Sequence, residues 1–215
     1  MNLIQELKWR DLLYDVTDSA IEQVLENEKI TFYVGADPTA DSLHVGHLIS
    51  YLVSKRLQDR GHHPILVIGG GTGLIGDPSG RSSERNLLTL ETTLKNSEAI
   101  TEQILNVLPE AKVVNNYDWI KEFDVIRFLR DIGKHFNINH MLAKDSVKSR
   151  LDNGISFTEF SYQIIQSLDF LELYQRENCR LQIGGQDQWG NITAGLELIR
   201  KVEGSDAKAF CFTWH

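Results

Sequence analysis

Two apolar segments separated by an amphipathic one stand out in the first third of the sequence. Residues 31–35 (TFYVG) and 64–69 (PILVIG) are runs of β-branched, aromatic and aliphatic residues closed by glycine, which predicts two buried strands. Between them, apolar residues recur every three to four positions over residues 45–57, which predicts a helix. A strand, a helix and a second strand in this order predict a βαβ unit with parallel strands.

Residues at both ends of this helix favour helix termini. Asp41 or Ser42 is expected to cap the first turn, and Gly61 stands where a C-terminal glycine belongs. A βαβ connection is almost always right-handed, so the residues after both strands lie at one edge of the sheet. Ligands of open parallel sheets bind at that edge, and we expect a site there.

Strands and helices continue to alternate along the rest of the chain. Residues 112–115 and 180–184 predict two more strands. Further helices are predicted over residues 87–107, 123–132, 141–151, 157–176 and 187–203. We therefore expect the α/β class, with a doubly wound, Rossmann-like parallel sheet in a single domain spanning residues 1–215. Its core is expected at about 30–200, with a helical insertion at about 123–176.

Composition and charge narrow the possible functions. The 215 residues are 41% hydrophobic and 24% charged, which is typical of a globular protein. The net charge of -8 argues against extensive wrapping of nucleic acid by this chain. Cys179 and Cys211 lack metal-ligand spacing and are expected to be reduced thiols. The aliphatic run at 65–68 is too short to span a bilayer, and no secretory signal is evident, so a cytoplasmic protein without membrane contact is expected.

A GxGxxG pattern from Gly71 to Gly76 follows the second predicted strand. The dinucleotide-binding fingerprint requires a helix to begin within the glycines, but Asp77-Pro78 follows at once, and a residue before proline is disfavoured in a helix. Asp77 also stands where a phosphate-binding loop needs lysine. We therefore reject nicotinamide or flavin binding, and expect a glycine-rich loop that lets the backbone approach a ligand.

Two histidines stand near the start of the first predicted helix, at His44 and His47. A helix N-terminus attracts anions through its free N–H groups and its dipole, and imidazoles there add donors for phosphate oxygens. Gly46 between them leaves room for a flat ligand. Taken alone, the pair is also compatible with surface histidines, or with a zinc pair that lacks further ligands.

The sequence around these histidines resembles a known family. His44-Val45-Gly46-His47 is similar to the HIGH signature of class I aminoacyl-tRNA synthetases, and the surrounding segments resemble the catalytic domain of bacterial tyrosyl-tRNA synthetases. The resemblance covers about residues 5–210. Its other segments are residue 33 with 35–48, and residues 69–80, 115–119, 128–131, 154–162 and 181–198. The family implies L-tyrosine, ATP and tRNA as substrates, tyrosyl-adenylate as intermediate, Mg²⁺ carried with the ATP phosphates, and a homodimer.

The helix predicted from residue 157 carries a polar stripe. Tyr162, Gln166 and Asp169 are spaced so that they share one face. A stripe with a phenol, an amide and a carboxylate, but no lysine, suits a pocket for a zwitterion with a hydroxyl, although a solvated face is the simpler interpretation. By resemblance, Tyr33 and Asp169 bind the phenolic hydroxyl of tyrosine, and Asp77, Tyr162 and Gln166 bind its amino group.

Another polar segment, residues 182–191, follows the last predicted strand. Two glycines followed by a carboxylate and an amide suit a ribose and a phosphate or carbonyl oxygen, but the segment is equally readable as a loop and helix cap. By resemblance, Asp187 binds the ribose of ATP, Gln188 orients the reacting carboxylate and α-phosphate, and Gln182 supports the tyrosine side. Trp189 is expected to serve packing.

The resemblance also assigns the phosphate side of the reaction. Thr39 and His44 hold the γ-phosphate, while His47 and Ser50 contact adenosine. Arg81 and Arg85 meet the leaving pyrophosphate, unless they are only a solvated charge pair. With Gln188, these residues form the expected catalytic set. The expected ATP-binding set comprises Asp37, His44, Gly46, His47, Ser50, Gly184 and Asp187, and no protein-held metal is expected.

The chain departs from the family pattern near its end. After Phe210 the family has an aliphatic run and a mobile KMSKS-like loop, whereas residues 211–215 read CFTWH. We therefore expect the loop, the helical anticodon-binding domain and the C-terminal RNA-binding domain to be absent, as in a truncated chain. Tyrosine binding should persist, while activation and aminoacylation should be impaired. Val34 replaces a cysteine often found beside the ribose, which removes one weak hydrogen bond.

Two alternative functions stay open on the sequence. The missing loop favours a non-catalytic tyrosine-binding or dimerisation module, which a test of adenylate formation would distinguish. Tryptophanyl-type specificity is disfavoured, because Tyr33 and Asp169 are suited to a hydroxyl, and a comparison of tyrosine with tryptophan would distinguish it. The segment around Phe157 resembles part of the family's dimer interface.

Overall fold

The computed structural model describes residues 1–79, 87–148, 150–151 and 154–214, with the backbone alone at 145 and 146. Within these ranges one six-stranded sheet forms the centre of the fold. Its strands are β1 (Asp15–Val16), β2 (Thr31–Ala36), β3 (His63–Ile68), β4 (Lys112–Asn115), β5 (Cys179–Gly185) and β6 (Phe210–Trp214). Their spatial order is β1-β6-β5-β2-β3-β4, and only the β1–β6 pair is antiparallel.

Helices lie along the chain between these strands. The α-helices are α1 (Leu3–Trp9), α2 (Ile21–Asn27), α3 (Val45–Asp59), α4 (Leu90–Leu105), α5 (Tyr117–Ile120), α6 (Val125–Arg127), α7 (Ile138–Leu142), α8 (Asp145–Lys148), α9 (Phe157–Glu177) and α10 (Trp189–Glu203). Short 3₁₀ turns occupy Thr72–Leu74, Gly133–His135 and Gln186–Gln188, and a π-helical turn occupies Phe128–Ile132. None of the helices in the described ranges is long and apolar enough to cross a membrane.

Two hydrophobic clusters pack on the two faces of the sheet. Because side chains alternate along a strand, Phe32 and Val34 of β2 enter one cluster, while Tyr33 enters the other. Helices α3 and α4 supply buried aliphatic side chains to the first cluster, and α9 and α10 to the second. This is the doubly wound α/β arrangement that the sequence predicts.

The strand order creates a crevice between β2 and β5. From β2 the chain passes through α3 to β3 on one side, whereas from β5 it passes through α10 to β6 on the other side. The connections therefore diverge at the carboxyl ends of two neighbouring parallel strands. Open α/β sheets bind their ligands at such a switch point.

The longest helix, α9, has clear local signals at both ends. The Ser156 side chain accepts a hydrogen bond from the Glu159 N–H at 3.2 Å, and Asn178 ends the helix in a left-handed conformation with φ 49°. The predicted helix over 157–176 therefore matches the structure closely. Its buried face places Asp169 and Phe170 against the end of the sheet.

Several predicted boundaries are wrong. The helix predicted over 123–132 is one α-helical turn followed by the π turn, and the helix predicted over 141–151 is divided between α7 and α8. Asn137 caps α7 by accepting a hydrogen bond from the His140 N–H, so this helix begins earlier than its hydrophobic periodicity indicates. The strands β1 and β6 were not predicted, yet β6 is a buried strand between β5 and β1.

Candidate active site

A cavity of about 400 Å³ opens at the carboxyl edge of the sheet, at the β2–β5 crevice. Each predicted site residue within the described ranges lines it: Tyr33, Asp37, Thr39, His44, Gly46, His47, Ser50, Asp77, Tyr162, Gln166, Asp169, Gln182, Gly184, Asp187 and Gln188. Arg81 and Arg85 lie outside the described residues. The fold thus brings together side chains from five separate parts of the chain.

Tyr33 of β2 lines a deeply buried part of this cavity. Its side chain is 1% exposed, and its ring packs against Phe170 with a centroid distance of 5.4 Å. Burial, together with the nearby Asp169 carboxylate, raises the pKa of Tyr33 well above its ordinary value. The Tyr33 Oη has no hydrogen-bond partner among the described residues. A buried hydroxyl without a partner is costly, so a ligand hydroxyl here would satisfy it.

Asp169 on α9 is held by two donors from the segment after β4. Its Oδ1 accepts a hydrogen bond from Trp119 Nε1 and its Oδ2 one from Asn116 Nδ2, both at 2.9 Å. Burial raises the pKa of Asp169 to about 7, although these two hydrogen bonds oppose the shift. The carboxylate is therefore fixed in orientation, and its pKa is close to neutral pH.

Asn116 is itself locked in place. Its Oδ1 accepts from the Gly71 N–H at 2.8 Å, and its Nδ2 also donates to Thr72 Oγ1 at 2.9 Å. Asn116 is fully buried. A single amide thus connects the loop after β3 with the buried carboxylate of α9.

A second group of acidic side chains surrounds Tyr162. The Tyr162 hydroxyl donates to Asp37 Oδ2 at 2.8 Å, and Thr72 Oγ1 donates to Asp37 Oδ1 at 2.7 Å. Burial and the charges of Asp37 and Asp77 raise the pKa of Tyr162 well above its ordinary value. Two carboxylates beside one buried phenol create a negative potential that suits an ammonium group.

Asp77 is held from the opposite side of the cavity. Its Oδ2 accepts from Gln188 Nε2 at 2.6 Å, and its Oδ1 accepts from the Ser79 N–H at 2.9 Å. Asn191 on α10 donates to Gln188 Oε1 at 3.1 Å and to Asp77 Oδ1 at 3.3 Å. The loop after β3 and the start of α10 are thereby joined across the crevice.

The two predicted histidines form the N-terminus of α3. The structure corrects the predicted cap: His44, not Asp41 or Ser42, is the N-cap. The Gly46 N–H donates to His44 Nδ1 at 3.1 Å, and the His44 N–H donates to His47 Nδ1 at 3.2 Å. Histidine replaces the usual short capping side chain because its Nδ1 lies in an equivalent position.

These capping bonds determine the tautomer of both rings. A neutral imidazole whose Nδ1 accepts a hydrogen bond carries its proton on Nε2. The two rings are in contact, with a centroid distance of 3.9 Å and a tilt of 37° between their planes. Partial burial together with His44 lowers the pKa of His47. At neutral pH the His47 ring therefore presents an Nε2–H donor, as does a neutral His44.

Glycine is required at two positions of this site by close approach. A Cβ at Gly69 would lie 1.8 Å from Asp37 Oδ1, and a Cβ at Gly46 would lie 2.9 Å from His44 Cε1. Between residues 71 and 79 the chain forms a 3₁₀ turn at Thr72–Leu74, and no α-helix begins there. The glycine-rich loop after β3 thus packs against polar side chains of the site.

Four residues that hold the site together were not predicted from the sequence. Asn116, Trp119, Thr72 and Asn191 had no assigned role, although each contacts a predicted site residue. The position of Asn116 directly after β4 could have indicated a site residue, because the carboxyl ends of parallel strands share one edge of the sheet. Trp214 lines the cavity as well, at the end of the strand that was not predicted.

Taken together, the fold and the site define an α/β domain of the class I aminoacyl-tRNA synthetase type. The sequence matches the family described as "tRNA synthetases class I (W and Y)" over residues 25–214. This chain belongs to that family.

Curated relatives support the same family. The chain is 56% identical over 219 residues to a tyrosine–tRNA ligase 2 of Bacillus cereus, covering 99% of this chain and 52% of the relative. It is 58% identical over 220 residues to tyrosine–tRNA ligase 1 of Bacillus anthracis, with the same coverage of 99% and 52%. The chain spans about half the length of the curated relatives it matches.

Solved structures share the fold. A C-terminally truncated mitochondrial tyrosyl-tRNA synthetase of Aspergillus nidulans superimposes with a TM-score of 0.86 at 27% identity, covering 100% of this chain and 69% of that one. A tyrosyl-tRNA synthetase of Archaeoglobus fulgidus, complexed with L-tyrosine, has a TM-score of 0.77 at 17% identity, covering 99% and 64%. The second likeness is one of fold alone.

The raised pKa of Asp169 predicts a pH-dependent stability difference. The folded chain keeps Asp169 protonated up to a pH of about 7, whereas an unfolded aspartate loses its proton near pH 4, so folding binds a proton between these values. Stability of the native chain should therefore fall as pH rises through this window. Relative to Asp169→Asn, we expect the free energy of unfolding of the native chain to fall by about 1.4 kcal/mol per pH unit between pH 5 and 7.

Urea unfolding of the native chain and of Asp169→Asn at pH 5, 6, 7 and 8 measures this difference in the free energy of unfolding. Asp206→Asn is the matched control, because Asp206 is exposed. The difference in free energy of unfolding between the native chain and Asp206→Asn should not change with pH. Equal pH profiles for the native chain and Asp169→Asn would contradict the prediction.

Proposed function

We propose that this chain is the catalytic domain of a tyrosine–tRNA ligase. It binds L-tyrosine and ATP and forms tyrosyl-adenylate with release of pyrophosphate, and in the longer proteins the tyrosine then passes to tRNA. The observation that carries the proposal is the unpartnered Tyr33 hydroxyl beside a buried, doubly hydrogen-bonded Asp169. The names of the curated relatives support it.

Tyr33 and Asp169 account for selection of a hydroxylated side chain. A phenolic O–H can donate to the Asp169 carboxylate while it accepts from the Tyr33 hydroxyl. Phenylalanine would leave the buried Tyr33 hydroxyl without a partner and would offer Asp169 no donor, which costs more than the lost hydrogen bonds alone. Indole lacks a hydroxyl at this position, so the same argument disfavours tryptophan.

The acidic group around Tyr162 binds the amino group of the substrate. Asp37 and Asp77 supply the negative potential, and Tyr162 and Gln166 supply acceptor oxygens one helical turn apart on α9. The Gln166 Oε1 is buried and without a partner among the described residues, so an ammonium donor would satisfy it. Gln182 supports the tyrosine side from β5.

Adenylate formation requires no covalent enzyme intermediate. The tyrosine carboxylate attacks the α-phosphorus of ATP, a carboxyl oxygen–phosphorus bond forms, and the bond from the α-phosphorus to the bridging oxygen breaks. Pyrophosphate leaves with the electron pair of that bond. Catalysis is therefore positioning and charge stabilisation. Gln188, held by Asn191, orients the two reacting groups.

The N-terminus of α3 receives the phosphates and the adenosine. Thr39 and His44 contact the γ-phosphate, His47 and Ser50 contact adenosine, and Asp187 contacts the ribose. The Nε2–H groups of the two histidines are donors for this purpose, because their Nδ1 atoms serve the helix cap. Asp37, Gly46 and Gly184 complete the nucleotide side, with Arg81 and Arg85 for the leaving pyrophosphate.

We propose that Mg²⁺ binds together with ATP. Among the described residues, no cluster of three or more histidine, cysteine, aspartate or glutamate side chains is arranged to hold a metal ion. The ion would arrive with the ATP phosphates and neutralise their charge. A cytoplasmic location belongs to the same proposal.

Calorimetric titration of the native chain with tyrosine, phenylalanine and tryptophan tests the proposal. We expect saturable binding of tyrosine alone. In Tyr33→Phe, tyrosine should bind about three- to tenfold more weakly, because one of its two hydroxyl partners is lost. Phenylalanine should bind this variant no more weakly than it binds the native chain.

Two outcomes would contradict the proposed site. Preferential binding of tryptophan would favour the tryptophanyl specificity, and equal binding of tyrosine and phenylalanine would show that Tyr33 and Asp169 do not contact the substrate. Radioactive pyrophosphate exchange with Mg²⁺ and ATP then separates a catalytic domain from a module that only binds tyrosine.

Gly46→Ala tests the nucleotide side. The new methyl group would press against the His44 ring and displace it from the cap, so both histidines would lose their orientation. We expect roughly tenfold weaker binding of a non-hydrolysable ATP analogue, with tyrosine binding unchanged. Gly133→Ala is the control, since its Cβ would make only ordinary contacts at 3.7 Å and 3.8 Å. Unchanged nucleotide affinity in Gly46→Ala would remove the histidines from the proposal.

We also propose that the chain forms a homodimer through the segment around Phe157. The Phe157 side chain is 75% exposed at the start of α9, and the preceding insertion exposes further large apolar side chains. These are Val125, Ile126, Leu129 and Ile138. Exposed apolar groups of this size favour a protein interface.

Phe157→Glu should shift the chain from dimer to monomer, because a charge would be buried without a partner at the interface. Light scattering after gel filtration measures the mass. Trp9→Glu is the matched control, since Trp9 is 72% exposed on α1 and lies outside the insertion. A native chain that is monomeric at high concentration, or an unchanged mass in Phe157→Glu, would contradict the assignment.

A further inference from the structure

Trp214 closes the end of the cavity that faces α3. It is the last residue of β6 and pairs with Gly185 of β5 across the sheet. Its side chain is 6% exposed and belongs to the same cluster as Val34 and Tyr51, both of which also line the cavity. No role was assigned to this residue from the sequence.

The indole nitrogen and the Asp187 carboxylate both lie close to Gly185. A Cβ at Gly185 would stand 3.7 Å from Trp214 Nε1 and 2.6 Å from Asp187 Oδ1, so both polar atoms flank the same glycine. Among the described residues, the Trp214 Nε1–H has no hydrogen-bond partner. The nitrogen is not among the fully buried polar atoms, so it is open to the cavity, where a ligand acceptor can reach it.

Trp214 and Tyr33 belong to opposite ends of the cavity. Tyr33 enters the cluster on the α9 face of the sheet, whereas Trp214 enters the cluster on the α3 face. His47 and Ser50 of α3 line the same cavity and come from the helix that packs in the cluster of Trp214. The indole is therefore placed for the nucleotide and away from the amino-acid side chain.

We propose that Trp214 is a nucleotide-contacting residue of this site, with its ring forming a wall for the adenine base and its Nε1–H donating to a ribose hydroxyl beside Asp187. An aromatic ring stabilises a nucleobase by stacking or edge contact, whatever the base. Glycine at 185 leaves the space between the indole and the carboxylate in which the ribose lies. The inference rests on the proposed function, because it assigns a contact of ATP.

Indole N–H resonances of the ¹⁵N-labelled chain test the inference directly. The chain has four tryptophans, and Trp214→Phe identifies the resonance of Trp214. A non-hydrolysable ATP analogue should shift the Trp214 resonance and leave that of Trp9 unchanged. Tyrosine alone should shift the resonance of Trp119, which donates to Asp169, and leave that of Trp214 in place.

Binding measurements with variants supply the second readout. In Trp214→Ala the ATP analogue should bind on the order of tenfold more weakly, while tyrosine binds as before. Trp214→Phe keeps an aromatic ring but lacks the donor, so its nucleotide affinity should be intermediate. Trp9→Ala is the control. Unchanged tyrosine binding also confirms that each variant is folded, and the resonances of the native chain test the contact even where Trp214→Ala does not fold.

The possible outcomes separate the two proposals. Nucleotide binding without a shift of the Trp214 resonance, or with unchanged affinity in a folded Trp214→Ala, would overturn the inference and leave the proposed function standing. A native chain that binds tyrosine but no nucleotide would overturn the inference together with the ATP half of the proposed function. Failure of the native chain to bind either ligand would reject both.

Discussion

β2 and β5 lie side by side as parallel strands, but the chain leaves them in opposite directions. After β2 it continues to β3 on one side of the pair, and after β5 it continues to β6 on the other side. The cavity forms at the carboxyl ends of these two strands, where the connections diverge. The position of the site therefore follows from the strand order, before any particular side chain is considered. The residues that line the cavity come from both halves of the sheet because both halves end there.

Burial of polar groups in this crevice explains the rest of the site. A carboxylate such as Asp169 is costly to bury, and it is tolerated because Asn116 and Trp119 donate to it. Asn116 is held in turn by Gly71 and Thr72. The unpartnered hydroxyl of Tyr33 is not compensated within the described residues, and this is the cost that a bound ligand would remove. A site of this kind is prepared for its ligand before binding, which is why its geometry is informative in the free chain.

Comparison of the predicted and observed elements shows where local patterns suffice. The central strands and the long helix α9 were predicted because a buried strand and an amphipathic helix each have a strong local pattern. The short helices between β4 and α9 were predicted poorly, since helices such as α7 begin at a cap that competes with the hydrophobic period. His44 was predicted as a site residue but not as the helix cap, because histidine is an unusual residue at that position. The predicted pocket residues within the described ranges line one cavity, although the role of each stays a prediction.

The sequence by itself determined the α/β class, the parallel βαβ unit and the family, because these depend on periodicity and on motifs of neighbouring residues. Only the tertiary structure decided which donors hold Asp169, which carboxylates surround Tyr162, and that Trp214 belongs to the cavity. Asn116 and Asp169 are 53 positions apart in the chain, and Asp37 and Tyr162 are 125 positions apart. Contacts over such separations leave no periodic trace in the sequence, since they arise when the sheet brings its strand ends to one edge.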